Sequence, residues 1–354
     1  MLVAEQPRPL PGHVIRIESG LSLRVQRRPI ALAIALTFAL ALLLVATLGT
    51  GDFDIAPLDV LAALTGSGDP GTTFIVRDLR LPRALCGLLV GLALGVSGAI
   101  FQSLTRNPLG SPDLIGFEQG ASAGALVVIT VLAGSSGAVS AGALAGGAVT
   151  AIAVYGLAFR RGGTSGYRLI LVGIAIGFLM LSVIHYLLLR ARIEEAAEAT
   201  RWLLGSLNAR GWADVGPLAL SLGLLLPATV PAGRALRALE LGDETAHALG
   251  VRVERARLGL VGLAVALVSV SVVAVGPIAF VALTAPQVAR RLARTPGPPL
   301  VCSALTGAVF VLAADIAAQR LIPSTPLPVG VMTGAIGGIY LAWLLTAEWR
   351  AGRA

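Results

Sequence analysis

Apolar runs of about twenty residues recur from one end of this 354-residue chain to the other. A run of that length is what an α-helix needs to cross the hydrocarbon core of a bilayer, about 30 Å at 1.5 Å per residue. Within that core a helix satisfies its own backbone hydrogen bonds, and nothing else is there to do it. The composition agrees: 56% of residues are hydrophobic and only 13% are charged, too few to coat a soluble domain. The chain therefore reads as a single all-α integral membrane domain rather than two or three soluble ones.

The runs predict about ten spans, at 30–48, 83–103, 114–133, 138–159, 168–190, 214–233, 258–276, 278–293, 299–319 and 327–347. The segment 278–293 is the weak one. The stretch 258–289 is too long for one straight span, and Gly276-Pro277 supplies a break, so a turn and a short or enclosed second helix are expected there. Residues 1–29 read as a mobile cytoplasmic tail, 30–347 as the transmembrane domain and 348–354 as a C-terminal tail. The run from Pro29 to Leu48 is long for a signal peptide, and no small-x-small cleavage site precedes Asp52, which predicts a retained first helix.

Charge adds topology and exclusions. All 27 basic residues are Arg; there is no Lys. A P-loop lysine, a Schiff-base lysine and a kinase-type lysine are thereby excluded, so ATP, if it drives this chain, is bound by another. The net charge of +8 is dispersed between apolar segments, with no Arg stripe interleaved with stacking aromatics, which argues against nucleic acid. With the N-terminus inside, 19 Arg fall on inside segments and 8 on outside segments, where nine acids accompany them. The positive-inside rule then predicts both termini in the cytoplasm. Cys86 and Cys302 lie in apolar runs without metal-ligand spacing and read as packing residues; no disulfide, metal or bound cofactor is expected.

Several polar features compete for a role. The inside loop Thr105-Arg106-Asn107-Pro108-Leu109-Gly110-Ser111-Pro112 reads as a rigid turn, with Ser111 or Asp113 able to cap the next helix. The inside loop 234–257 contains Glu240-Leu241-Gly242-Asp243-Glu244-Thr245-Ala246-His247-Ala248-Leu249-Gly250. Asp243 is placed to cap a short helix and Gly250 to end it. Leu241, Thr245, Ala248 and Leu249 give that helix a small apolar face, suited either to membrane lipid or to a docked partner. In 190–214, Glu194, Glu195 and Glu198 stand at helical spacing from Arg190, Arg192 and Arg201, as in a solvated helix with weak ion pairs. Inside the spans lie Glu118, Gln119, His185 and Asp315. A charge in lipid is costly, so each is expected to face protein or water: as pathway lining, as a helix-to-helix bond, or as a proton relay. Gly91, Gly95 and Gly98, and Gly330, Gly334, Gly337 and Gly338, recur at spacings that let helices approach closely. Arg80-Leu81-Pro82-Arg83 and Arg252-Val253-Glu254-Arg255 open runs on opposite sides of the membrane; an inverted repeat and chance both account for them.

These pieces resemble the permeases of iron-siderophore and vitamin B12 importers of the ATP-binding-cassette class. The resemblance rests on Arg80–Arg83, Gly95-Val96-Ser97-Gly98-Ala99-Ile100-Phe101-Gln102 and Arg106-Asn107-Pro108-Leu109-Gly110-Ser111-Pro112-Asp113-Leu114-Ile115-Gly116. It continues in order through Trp202-Leu203-Leu204-Gly205-Ser206-Leu207, Leu241–Ala246, Gly276-Pro277-Ile278-Ala279-Phe280-Val281 and Leu327-Pro328-Val329-Gly330-Val331, and spans about residues 30–346. It implies a transporter subunit rather than an enzyme, paired as a homodimer or with a related permease in a bacterial inner membrane. Two ATPase subunits, which use ATP and Mg, would lie beneath, and a substrate-binding protein would dock outside. By the same resemblance Glu240, Leu241, Gly242, Asp243, Glu244, Thr245, Ala246, Leu249 and Gly250 form a coupling helix, and Arg80 and Arg83 meet the binding protein. Glu118, Gln119 and Gln287 are assigned to the pathway, and Thr164, Ser165 and Gly166 to a cytoplasmic gate. The cargo implied is a ferric siderophore, with haem or cobalamin as alternatives. Departures include Pro286-Gln287 for a common Pro-His, Ala279 and Ala282 for glycines, Pro326 for an acid, Gln319 for Arg, Ile339 for Pro, and Glu118-Gln119 for small polar residues. A secondary transporter and a structural membrane protein are the rival readings.

Overall fold

A computed structural model describes residues 13–17, 21–51, 53–160, 164–295, 297–322, 327–350 and 352. Pro326 therefore lies outside the described residues. Eight helices are long and apolar enough to cross a membrane. In chain order the helices are α1 (Arg27–Gly49), α2 (Pro57–Thr65), α3 (Pro70–Phe74), α4 (Leu81–Thr105), α5 (Phe117–Thr130), α6 (Ser136–Ala158) and α7 (Gly166–Arg190). There follow α8 (Ile193–Leu203), α9 (Trp212–Glu240), α10 (Asp243–Ala248), α11 (Val253–Val275), α12 (Val281–Ala293), α13 (Leu300–Arg320) and α14 (Val329–Arg350).

The expected spans are present, with two shortened. α5 has 14 residues and α12 has 13, so they reach about 20 Å, well short of the hydrocarbon core. Both start at a left-handed residue, Gly116 at φ 87° and Phe280 at φ 67°, where the chain turns back inside the bundle. Neither Ser111 nor Asp113 caps α5: its N-cap is Gly116, and the Asp113 carboxylate instead accepts the Phe280 N–H at 3.2 Å. The two re-entrant turns are thus tied to each other.

Other differences have local causes. The structure adds α2 before the second span, a nine-residue helix too short for the span pattern to reveal. Residues His13–Ile17 and Leu21–Val25 pair as antiparallel strands where a structureless tail is expected. Pro82 has no N–H to give to the carbonyl four residues back, and the turns before it, Ile75–Arg80, widen to π-helical bonding, with Leu81 N–H reaching Val76 O. α9 runs on past its expected end to Glu240 despite Pro217, Pro227 and Pro231 inside it.

Packing reveals an inverted pattern. The succession α4–α5–α6–α7 has lengths 25, 14, 23 and 25, and α11–α12–α13–α14 has 23, 13, 21 and 22. α4 packs on α13 as α11 packs on α6, and α5 on α6 as α12 on α13. α4 and α11 run antiparallel, since Ser97 Oγ donates to Ala264 O while the α4 end at Arg106 and the α11 start at Arg257 share Asp243. This geometry answers the question the two Arg pairs left open.

Lipid tails offer no hydrophobic drive between helices, so close backbone approach holds them together. A Cβ on Gly91, Gly95 or Gly307 would collide with the backbone across the α4–α13 contact, and one on Gly98 with Ala282 O of α12. Of the α14 glycines, Gly330 and Gly337 meet Leu204 and Phe280, whereas Gly334 and Gly338 face open space in the single chain. Cys86 and Cys302 are buried free thiols.

Candidate functional site

The bundle has two ends, one bearing α8 and the other α10. At the α10 end, Gly242 (φ 113°) turns the chain out of α9, and Gly250 (φ 80°) turns it back toward α11. Between them α10 buries only Ala246. Leu241 and Leu249 are 66% and 62% exposed, and Glu244, Thr245, His247 and Ala248 are exposed with them. The small apolar face expected for this helix therefore points away from the bundle.

Asp243 does not cap α10. Its carboxylate bridges two arginines from separate helices, accepting from Arg106 at 2.8 Å and from Arg257 at 2.8 Å. Arg106 takes the left-handed C-cap position of α4 and also donates to Leu239 O at 3.2 Å, so α4, α9 and α10 meet on one side chain. Arg257 is 3% exposed and donates to Glu254 at 2.8 Å and to the Thr164 carbonyl. Glu254 in turn accepts the Thr164 N–H and hydroxyl, each at 3.0 Å, and the Tyr155 hydroxyl at 3.1 Å. Glu240 closes the group by pairing with Arg290 of α12 at 3.1 Å.

The residues assigned from sequence to coupling and to a gate are thus brought together, but through Arg106, Glu254, Arg257 and Arg290, which sequence reasoning left unassigned. The signal for Arg257 was present: an arginine one turn inside an apolar run needs a partner. Of the gate residues, Thr164 belongs to this network, Ser165 Oγ accepts the Arg168 N–H at 3.4 Å at the start of α7, and Gly166 lies against Leu104 and Thr105.

Gln287 is not in a cavity. It is 6% exposed and donates to Pro108 O at 2.7 Å, pinning α12 to the loop after α4, as Gln102 does through Leu283 O at 2.8 Å. Glu118 and Gln119 do line a cavity, of about 410 Å³, together with Ser122, His185, Pro277 and Gly330. It lies toward the α8 end, against the later turns of α7, the end of α8 and the first turn of α14.

At the α8 end the two arginines expected at a docking surface are engaged within the chain. Arg83 makes a two-pronged contact with Asp315, at 2.8 and 3.1 Å, and Asp315 is fully buried. Gln319, at a position where the resembled family has Arg, adds a bond to Asp315 at 2.8 Å. Arg83 is therefore a helix-to-helix tie, because a buried carboxylate needs a cation more than an exposed partner does. Arg80 donates to Leu48 O at 2.8 Å and Phe53 O at 2.6 Å, anchoring the end of α1. Both border a recess of about 900 Å³ that also holds Arg210 and Arg320. On α8, Glu195 accepts the Arg192 N–H at 3.2 Å rather than pairing with the arginines, and Arg190 lies over the Tyr186 ring.

The model of the FecCD transport family matches residues 39–347. The chain belongs to the FecCD transport family. It is 44% identical over 326 residues to the ferric enterobactin transport system permease protein FepG of Escherichia coli, covering 92% of this chain and 98% of that one. It is 34% identical to the hemin transport system permease protein HmuU of Yersinia pestis, covering 92% and 97%. A solved structure described as an inward-facing conformation of a metal-chelate type ABC transporter superposes with a TM-score of 0.81 at 26% identity, covering 90% of this chain and 99% of that one. As a FecCD family member the chain is a multi-span transport subunit and not itself an enzyme.

Proposed function

We propose that this chain is the permease subunit of an ATP-binding-cassette importer that carries a ferric siderophore inward across a bacterial inner membrane. The observation that carries the reading is the 44% identity, over nearly the full length of both chains, to a ferric enterobactin permease. The α10 end faces the cytoplasm, where two partner ATPase subunits bind and hydrolyse ATP with Mg. The exposed Leu241, Glu244, Thr245 and Leu249 meet the ATPase, and the Asp243 network passes its motion to α4, α11 and the Thr164 segment. The α8 end faces outward and receives the loaded binding protein at the arginine-bordered recess, with Arg80 at its edge.

A second copy completes the pathway. The open Gly334 and Gly338 on α14 favour close contact with another helix. A self-sufficient proton carrier is disfavoured, because Asp315 is held by Arg83 and Gln319 and is withdrawn from any relay. The test is reconstitution of the chain with a cognate ATPase and binding protein in liposomes loaded with ATP and Mg. Uptake of radio-iron as a siderophore complex is expected only when all three proteins and ATP are present. Uptake without the ATPase, or none with any ferric chelate, would overturn the reading.

A further inference from the structure

Nothing in the importer reading accounts for Glu118. It lies in the first turn of α5, is 5% exposed and lines the 410 Å³ cavity. Its Oε1 is buried with no hydrogen-bond partner, and so is Oε1 of Gln119 beside it. Asp113 acts on Glu118 electrostatically and also keeps one buried oxygen, Oδ1, unpartnered. Three acceptor atoms thus collect where α5 begins. A buried acceptor without a donor forfeits its hydration for nothing, and native proteins leave few of them.

The lining offers no donor in return. Its only other polar side chains are Ser122 and His185; no arginine lines it, and the remaining walls are mostly apolar, such as Leu181, Ile184 and Leu203. The α5 N-terminus supplies positive potential that favours the ionised carboxylate. Among the described residues no group of His, Cys, Asp and Glu side chains is arranged to hold a metal ion. The cavity therefore presents negative charge and acceptor oxygens to whatever enters it. We propose that Glu118 and Gln119 form an acceptor subsite in this cavity for an ammonium or similar cationic N–H donor carried on the chelate in transit. The subsite rests on the importer reading and adds to it a charge preference: a chelate with a cationic arm is held, and a polyanionic one is not.

The decisive test needs no chelate. His185 is exposed on the cavity wall, whereas Cys86 and Cys302 are buried and react slowly. His185→Cys, in the permease assembled with its ATPase in lipid nanodiscs, is treated with a trimethylammonium and a sulfonate methanethiosulfonate reagent. With Glu118 present the cationic reagent is expected to react faster, and in Glu118→Gln the cationic-to-anionic rate ratio is expected to fall about tenfold. An unchanged ratio would remove the subsite. Uptake supplies the second measurement, with two ferric trihydroxamates differing only in a terminal ammonium or its acetylated form. Their uptake ratio should drop in Glu118→Gln and persist in Glu118→Asp; an unaltered ratio in Glu118→Gln also counts against the subsite. Because both ratios compare variants with one binding protein, its own selectivity cancels. Absence of ATP-dependent uptake of any chelate by the unaltered protein would count against the importer reading alone, and the labelling ratio would still decide the subsite.

Discussion

Asp315 is a carboxylate with no exposure at all, set between α13 and α4 and held by Arg83 and Gln319. Removing one partner of such a pair strands the other charge in a medium that cannot solvate it, at a cost of about 3–5 kcal/mol. Asp315→Ala should therefore lower the thermal unfolding midpoint in detergent markedly. The double change Arg83→Met with Asp315→Leu should recover most of that loss, since it strands nothing. Equal midpoints for Asp315→Ala and the unaltered chain would mean the pair does not form. The sequence made plain that an acid in a span needs company, but not which company: Arg83 stands 232 positions away. Glu118 is the contrasting case. Its placement against a cavity was legible because an unpaired acid has few other places to be, and the structure puts it there. Gln287 was misjudged because a glutamine serves a pathway and a helix tie equally well on paper.

Among the elements, α10 was legible nearly to the residue, from Gly242 and Gly250 on either side of a six-residue polar stretch. Its attachment was not, because Asp243 looks like a cap and acts as a bridge. Two variants separate the exposed face from the bridge. Glu244→Arg alters only an exposed position, so it should leave the fold and the unfolding midpoint intact while lowering ATP-driven uptake at least roughly tenfold, the effect of about 1.4 kcal/mol lost from a docking contact. Arg257→Gln should leave ATPase binding in place but reduce uptake per ATP hydrolysed, since α10 then no longer pulls on Thr164. Uptake and coupling ratio both unchanged in these two proteins would detach α10 from the transport cycle. The short helices were half legible: Gly276-Pro277 announced a break, whereas α5 was expected at span length because apolar residues continue on both sides of it.

For the whole molecule, the apolar runs and the Arg bias carry the order of spans and an orientation, and the orientation is open to a direct check. Ser67 and Ser165 are both exposed, at opposite ends of the bundle. Cysteine at position 67 should react with an impermeant thiol reagent in intact cells, and cysteine at 165 only after permeabilisation; the reverse would invert the topology. The internal repeat was nearly invisible in sequence because what repeats is backbone proximity, which glycine, alanine and serine provide interchangeably. The α4–α13 seam follows from that proximity. Where main chain rests on main chain at Gly91, Gly95 and Gly307, there is no layer of side chains to shear or re-seat. The two helices are in effect a single strut, clamped at the α8 end by Arg83 and Asp315. A transport stroke that reshapes this bundle has to carry that strut as one stiff beam and find its play elsewhere, at the re-entrant turns of Gly116 and Phe280 and along the thinly covered α7, α9 and α14.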